Sequence, residues 1–207
     1  MIPKIYCEIE DQNLIEFINE NDTEFRSDFK VQFDSLEKKL ELISFALQAT
    51  SEMDRPHLYK IWNLLGYINT CLFDLAVTAE SIMFESNQWK KRYHSRMAVL
   101  NMYEASLDVP NMFGKDFRLS LKGVDGGESF LVSLGVVIKR FNKFKSDNAA
   151  WLKNIRLNMA AHRDQILDEQ LAVVFTIDPM NILKSMTEFS LVLKDLEETL
   201  NKGTHLV

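Results

Sequence analysis

Glycine and proline are so scarce in this chain, seven and four among 207 residues, that it cannot reverse direction often enough to build a sandwich or a barrel. What fills the space between these few breaks is apolar spacing of the helical kind. From about Phe25 to Thr50, the residues Phe29, Phe33, Leu36, Leu40, Ile43 and Leu47 recur every three or four positions, with Glu37, Lys38 and Glu41 on the opposite side. Asp54-Arg55-Pro56 opens a second helix, with proline in the first turn where its missing N–H costs nothing, and the pattern runs on to about Phe84. The richness of that stretch in Leu, Ile, Phe and Trp predicts a central helix.

A third helix is expected from about Gln88 to Leu107, ending before Pro110 because proline disfavours helical geometry in its predecessor. Residues 111–127, with Gly114 and the run Gly123-Val124-Asp125-Gly126-Gly127, read as a loop holding at most one short element. A fourth helix follows from about Glu128 to Lys145. Ser146-Asp147-Asn148 then serves as a break and an N-cap for a fifth helix containing Ile155 to Gln165. Asp178-Pro179 opens a sixth, which carries Ile182, Met186, Phe189, Leu193, Leu196 and Leu200 on one face before Gly203 stops it. The expectation is therefore an all-α chain: an acidic N-terminal extension over 1–24 and one domain over 25–203, folded as an antiparallel bundle of about five to six helices.

The formal charge of −6 argues against a protein that coats nucleic acid over its whole surface, which needs a net basic footprint. Charge is nevertheless segregated, since residues 1–54 hold 5 Lys and Arg against 13 Asp and Glu, whereas 89–163 hold 14 against 6. The basic middle can attract an anion, or the two blocks can neutralise each other across the fold or across a dimer. No apolar run approaches the roughly 20 residues that span a bilayer, and the acidic start lacks the pattern of a secretory signal, so a cytoplasmic protein off the membrane is expected. Cys7 and Cys71 share no motif and are expected to be reduced thiols, Cys71 in the core.

Metal chemistry finds no support in the spacing. None of the four histidines, His57, His94, His162 and His205, follows a glutamate by three positions as a di-iron bundle requires, and there is no His-Glu-x-x-His, Gly-x-Ser-x-Gly or phosphate loop. No metal and no cofactor is expected. The segment Lys153-Asn154-Ile155-Arg156-Leu157-Asn158-Met159-Ala160-Ala161-His162-Arg163-Asp164 stands apart. On a helix, Asn158 and His162 share a face four positions apart, and the long Arg156 side chain can reach a phosphate shared with the imidazole.

This segment resembles the HEPN superfamily of helical bundles, in which an arginine precedes a histidine by four to six intervening residues; Arg156 and His162 have five between them. The Ala160-Ala161-His162-Arg163-Asp164 wording is similar to the abortive-infection branch. The position after the arginine, commonly polar in the family, is Leu157 here, with Asn158 one later. The resemblance implies a metal-independent endoribonuclease in phage defence or a toxin–antitoxin system. His162 would move the proton between the 2′-hydroxyl and the leaving oxygen, Arg156 would neutralise the reacting phosphate, and Asn158 would orient one of them. It also implies a homodimer that brings two motifs together, an RNA substrate, and an antitoxin or other protein partner. Arg163 and Lys153 are candidate RNA contacts, as are Lys90, Lys91, Arg92 and Arg96, where cations alternate with Trp89 and Tyr93. The competing account of that stretch is a helix start whose aromatics are partly core. Lys139 to Lys145 is expected near a helix C-terminus, where its charge would have its own structural explanation. Two rivals stand beside the enzyme: a catalytically inactive helical dimer that binds RNA or protein, and a structural module whose acidic arm docks on a neighbour's basic segment.

Overall fold

The computed structural model describes residues 12–53, 55–157 and 167–206. Among them are eight helices and no strand: α1 (Gln12–Glu20), α2 (Asp22–Glu52), α3 (Pro56–Phe84), α4 (Gln88–Met112), α5 (Lys115–Ser120), α6 (Gly127–Ile155), α7 (Leu167–Thr176) and α8 (Pro179–Gly203). The chain is all-α. No helix of the described residues is long and apolar enough to cross a membrane.

Helix α3 packs against α2, α4 and α8. Ile61, Leu64, Leu65, Ile68, Leu72, Leu75 and Ile82 are each at most 2% exposed, so apolar surface is removed from water around most of this helix rather than along one stripe. Helices α2 and α3 run antiparallel. Phe29 meets Phe84, Phe33 meets Phe73, and Ile43 closes on Gly66, where a side chain would press on its methyl group. Helices α6 and α8 are likewise antiparallel, with Phe130 against Gly203, Arg140 paired to Asp195, and Phe141 and Phe144 around Phe189. The expected face of α8 is the buried one: Phe189, Leu193, Leu196 and Leu200 are fully enclosed, and Ile182 and Met186 nearly so. Its start is also as expected, since the Asp178 carboxylate accepts the Met180 N–H just ahead of the proline turn. Helix α1 adds Ile18 to the core, and a Lys39–Glu197 ion pair of 2.7 Å ties α2 to α8.

Two boundaries and the number of helices differ from the sequence expectation. Helix α4 runs through Pro110 to Met112, because a proline three residues from a helix end forfeits a single main-chain bond and the capping Phe113 N–H still reaches the Val109 carbonyl. Ser146-Asp147-Asn148 neither breaks nor caps a helix. Ser146 donates to the Lys143 carbonyl, Asn148 donates to the Phe144 carbonyl and accepts the Trp151 indole N–H, and Asp147 pairs with Lys143, so each polar group is satisfied inside α6. The expected fourth helix and the start of the expected fifth are one helix to Ile155, continued by a wider π-type turn at 156 and 157, and the rest of the expected fifth helix, to Gln165, lies outside the described residues. The count of eight helices exceeds five to six because α1, α5 and α7 are short elements with weak punctuation. Between α4 and α6 the chain does form one short helix, α5, and Gly123 (φ 84°) and Gly126 (φ 73°) turn it in the left-handed region.

Candidate functional site

Arg156 follows directly on α6, whose last turns are anchored by Leu152 and Ile155 in the core. Its side chain lies across α4. Nε donates to Glu104 Oε1 at 3.1 Å, and the guanidinium carbon stands 5.5 Å from the centre of the Tyr103 ring. The side chain keeps 26% of its surface exposed. Among the described residues Arg156 bonds through Nε, which leaves the two Nη groups with four N–H donors. Lys153 and Leu157 beside it are exposed. Asn158, His162 and Arg163 lie outside the described residues.

Glu104 also lines a cleft of about 520 Å³ between α3 and α4, whose walls include Tyr67, Cys71, Asp74, Val77, Met97 and Asn101. Polar groups of the cleft are held by bonds within the protein. The Tyr67 hydroxyl donates to Asp108 at 2.9 Å, and the Asn101 amide reaches the Cys71 carbonyl at 3.4 Å. Burial, reinforced by the neighbouring Asp74 charge, pushes the Cys71 thiol up to about 12. Burial likewise raises the Tyr67 phenol well above its ordinary range, with Cys71 and the Asp108 carboxylate adding to the effect, and partial burial raises the Asp74 carboxyl. Cys71 is buried, as expected, and protonated at neutral pH, which makes it a poor nucleophile.

The basic start of α4 is split by the helix. Lys90 is exposed and paired at 3.2 Å with Glu85, whose carboxyl is held below its usual range by the Asn87 N–H and by Lys90. Lys91 and Arg92 are buried, at 7% and 4% exposure, and Arg92 lies over the Phe175 ring of α7. Arg96 is half-buried, 5.6 Å from the Tyr93 ring centre. Trp89 and Tyr93 are instead about half exposed, at 48% and 49%. The inward residues of this turn are therefore cations and the outward ones aromatic, the reverse of an ordinary amphipathic helix. Among the described residues no group of three or more His, Cys, Asp and Glu could hold a metal ion.

Tyr103, Glu104 and the cleft residues escaped sequence reasoning. Glu104 is 52 positions from Arg156, and no spacing rule links them. The cleft itself left a signal, since Tyr67, Thr70, Cys71, Asp74 and Thr78 recur every three or four residues as a polar seam along the most apolar helix of the chain. No family model matches the chain, and neither a curated protein nor a solved structure matches it.

Proposed function

We propose that this chain is a HEPN-like, metal-independent endoribonuclease whose chemistry is carried by the segment that starts at Arg156. The observation that carries this is the state of Arg156 itself: a part-exposed guanidinium, oriented through Nε by Glu104 and backed by the Tyr103 ring, with its Nη fork uncommitted among the described residues beside an open cleft. A cation held this way loses little freedom on meeting a phosphate, and its fork matches two phosphate oxygens. In the proposed reaction His162 takes the 2′-hydroxyl proton, or gives one to the departing 5′-oxygen. Arg156 neutralises the charge that gathers on phosphorus, and Asn158 orients the imidazole or a phosphate oxygen. RNA is the substrate because DNA lacks the attacking hydroxyl. Lys153, exposed about one turn before Arg156, adds positive surface beside it, with exposed Lys90 more distant on α4, and Arg163 is a further proposed RNA contact. A HEPN-like bundle in a homodimer, working in the cytoplasm in phage defence or opposed by an antitoxin, completes the proposal.

A second reading is favoured by one specific contact. Glu104 neutralises Arg156, and a carboxylate beside a phosphate-binding arginine opposes the anion it should receive. On that reading the chain is a catalytically inactive helical dimer that binds RNA or a protein. Incubating the wild type and His162→Ala with mixed cellular RNA in excess EDTA separates the two. Products with 2′,3′-cyclic phosphate ends from the wild type, absent with His162→Ala, are expected. Intact RNA with both proteins, at concentrations where both bind it, supports the inactive dimer.

A further inference from the structure

We propose that the cleft between α3 and α4 is a base-recognition site selective for guanine, placed so that the nucleotide next to the reacting phosphate enters it. The proposal rests on the ribonuclease reading and names the substrate feature that reading leaves open. Position comes first. Glu104 belongs both to the cleft wall and to the Arg156 ion pair, so a phosphate at Arg156 puts its nucleotide at the cleft mouth. The volume of about 520 Å³ lies in the range of pockets that take small organic ligands, and Val77, Met97 and Leu100 offer apolar surface to the faces of a flat ring.

The selectivity comes from the hydrogen-bonding state of the lining. Each hydroxyl has already spent its proton within the protein: Tyr67 on Asp108, Thr70 on the Gly66 carbonyl, and Thr78 on the carbonyls of Asp74 and Leu75. The Asn101 amide gives one N–H to the Cys71 carbonyl, which leaves its oxygen and its second N–H for a ligand. Asp74 and Glu104 accept and, when ionised, cannot donate. Among the described residues, apart from that second Asn101 N–H and the weak Cys71 thiol, the cleft therefore presents acceptors. Among the four bases, guanine alone carries two adjacent donors on its Watson–Crick edge, N1–H and the N2 amino group, with the geometry of a carboxylate's two oxygens. Adenine sets one donor beside an acceptor there, cytosine sets one donor beside two acceptors, and uracil flanks one donor with two acceptors, so each would face Asp74 with a lone pair that has no partner. Partial burial already raises the Asp74 carboxyl, so two incoming N–H groups restore bonds the carboxylate lost with water.

Binding of 3′-GMP, 3′-AMP, 3′-CMP and 3′-UMP to the full chain, measured by calorimetry for the wild type and Asp74→Asn, tests this without requiring cleavage. The wild type is expected to prefer 3′-GMP by about tenfold or more, in line with a bidentate edge contact, and Asp74→Asn to lose the preference while its circular dichroism and melting temperature stay unchanged. Equal affinities for all four nucleotides, no binding of any, or a guanine preference that survives Asp74→Asn would each overturn the proposal. So would agmatine binding more tightly than 3′-GMP, which would make the cleft a seat for a cationic side chain of a protein partner. The two proposals fail separately: binding of 3′-GMP by a chain that cuts no RNA removes the ribonuclease reading, and cleavage without base preference removes the guanine site.

Discussion

Cys71 illustrates how far a single side chain's chemistry is set by neighbours it does not share a motif with. Its thiol is buried against Tyr67 and Asp74, and its titration is displaced from an ordinary 9.0 to about 12. A group whose folded-state value is raised gives stability that is full below the unfolded value and is lost as pH climbs through the folded one. Stability should therefore hold level up to about pH 9 and fall between about 9 and 12. Tyr67, raised in the same direction, adds to the fall above pH 10.0. Urea denaturation midpoints over this range should drop more steeply for the wild type than for Cys71→Ala; equal slopes would remove Cys71 from the account. At this scale the sequence was legible for burial and not for pairing. Cys71, amid Ile68, Leu72 and Leu75, read correctly as core, whereas the Glu104 carboxylate on Arg156 had no local signature because it depends on how α4 and α6 pack.

Between elements, α6 and α8 pack closely. Phe189 is fully enclosed, with ring centres 4.8 Å from Phe144 and 5.8 Å from Phe141, and Gly203 lies where an added methyl would come within 2.5 Å of the Phe130 ring. Phe189→Ala should cost about 3–5 kcal/mol, the usual range for a large aromatic lost from a closed core. Gly203→Ala should cost about 1–3 kcal/mol through overpacking, although it removes no atom. Both are read from chemical denaturation, and a neutral Gly203→Ala would mean that Phe130 swings aside freely. Helix α8 was the most legible element because every level agreed: cap, proline, apolar stripe and terminal glycine all point to one helix. Residues 146–148 misled for the opposite reason. Ser, Asp and Asn satisfy backbone groups equally well at a cap or back along their own helix, and only the neighbouring Lys143, Phe144 and Trp151 decide between the two.

For the whole molecule, composition and periodicity were enough to establish an all-α chain, and they left the interior of α4 undetermined. A helix start rich in Lys and Arg reads as surface, yet Lys91 and Arg92 are buried while Trp89 and Tyr93 stand half exposed. Burying cations is costly unless they are compensated, so periodicity of apolar residues alone could not have placed that turn. On the proposed ribonuclease reading, Arg156 meets an RNA phosphate under attack by the neighbouring 2′-hydroxyl. The most direct test of that reading is a defined RNA, cut by the wild type in excess EDTA, compared with the same strand carrying a single 2′-deoxy substitution at the mapped cut. Loss of that one cut, with neighbouring cuts retained, is the predicted result. Cleavage at the deoxy position at an undiminished rate would contradict the account, because no 2′-hydroxyl would then have attacked.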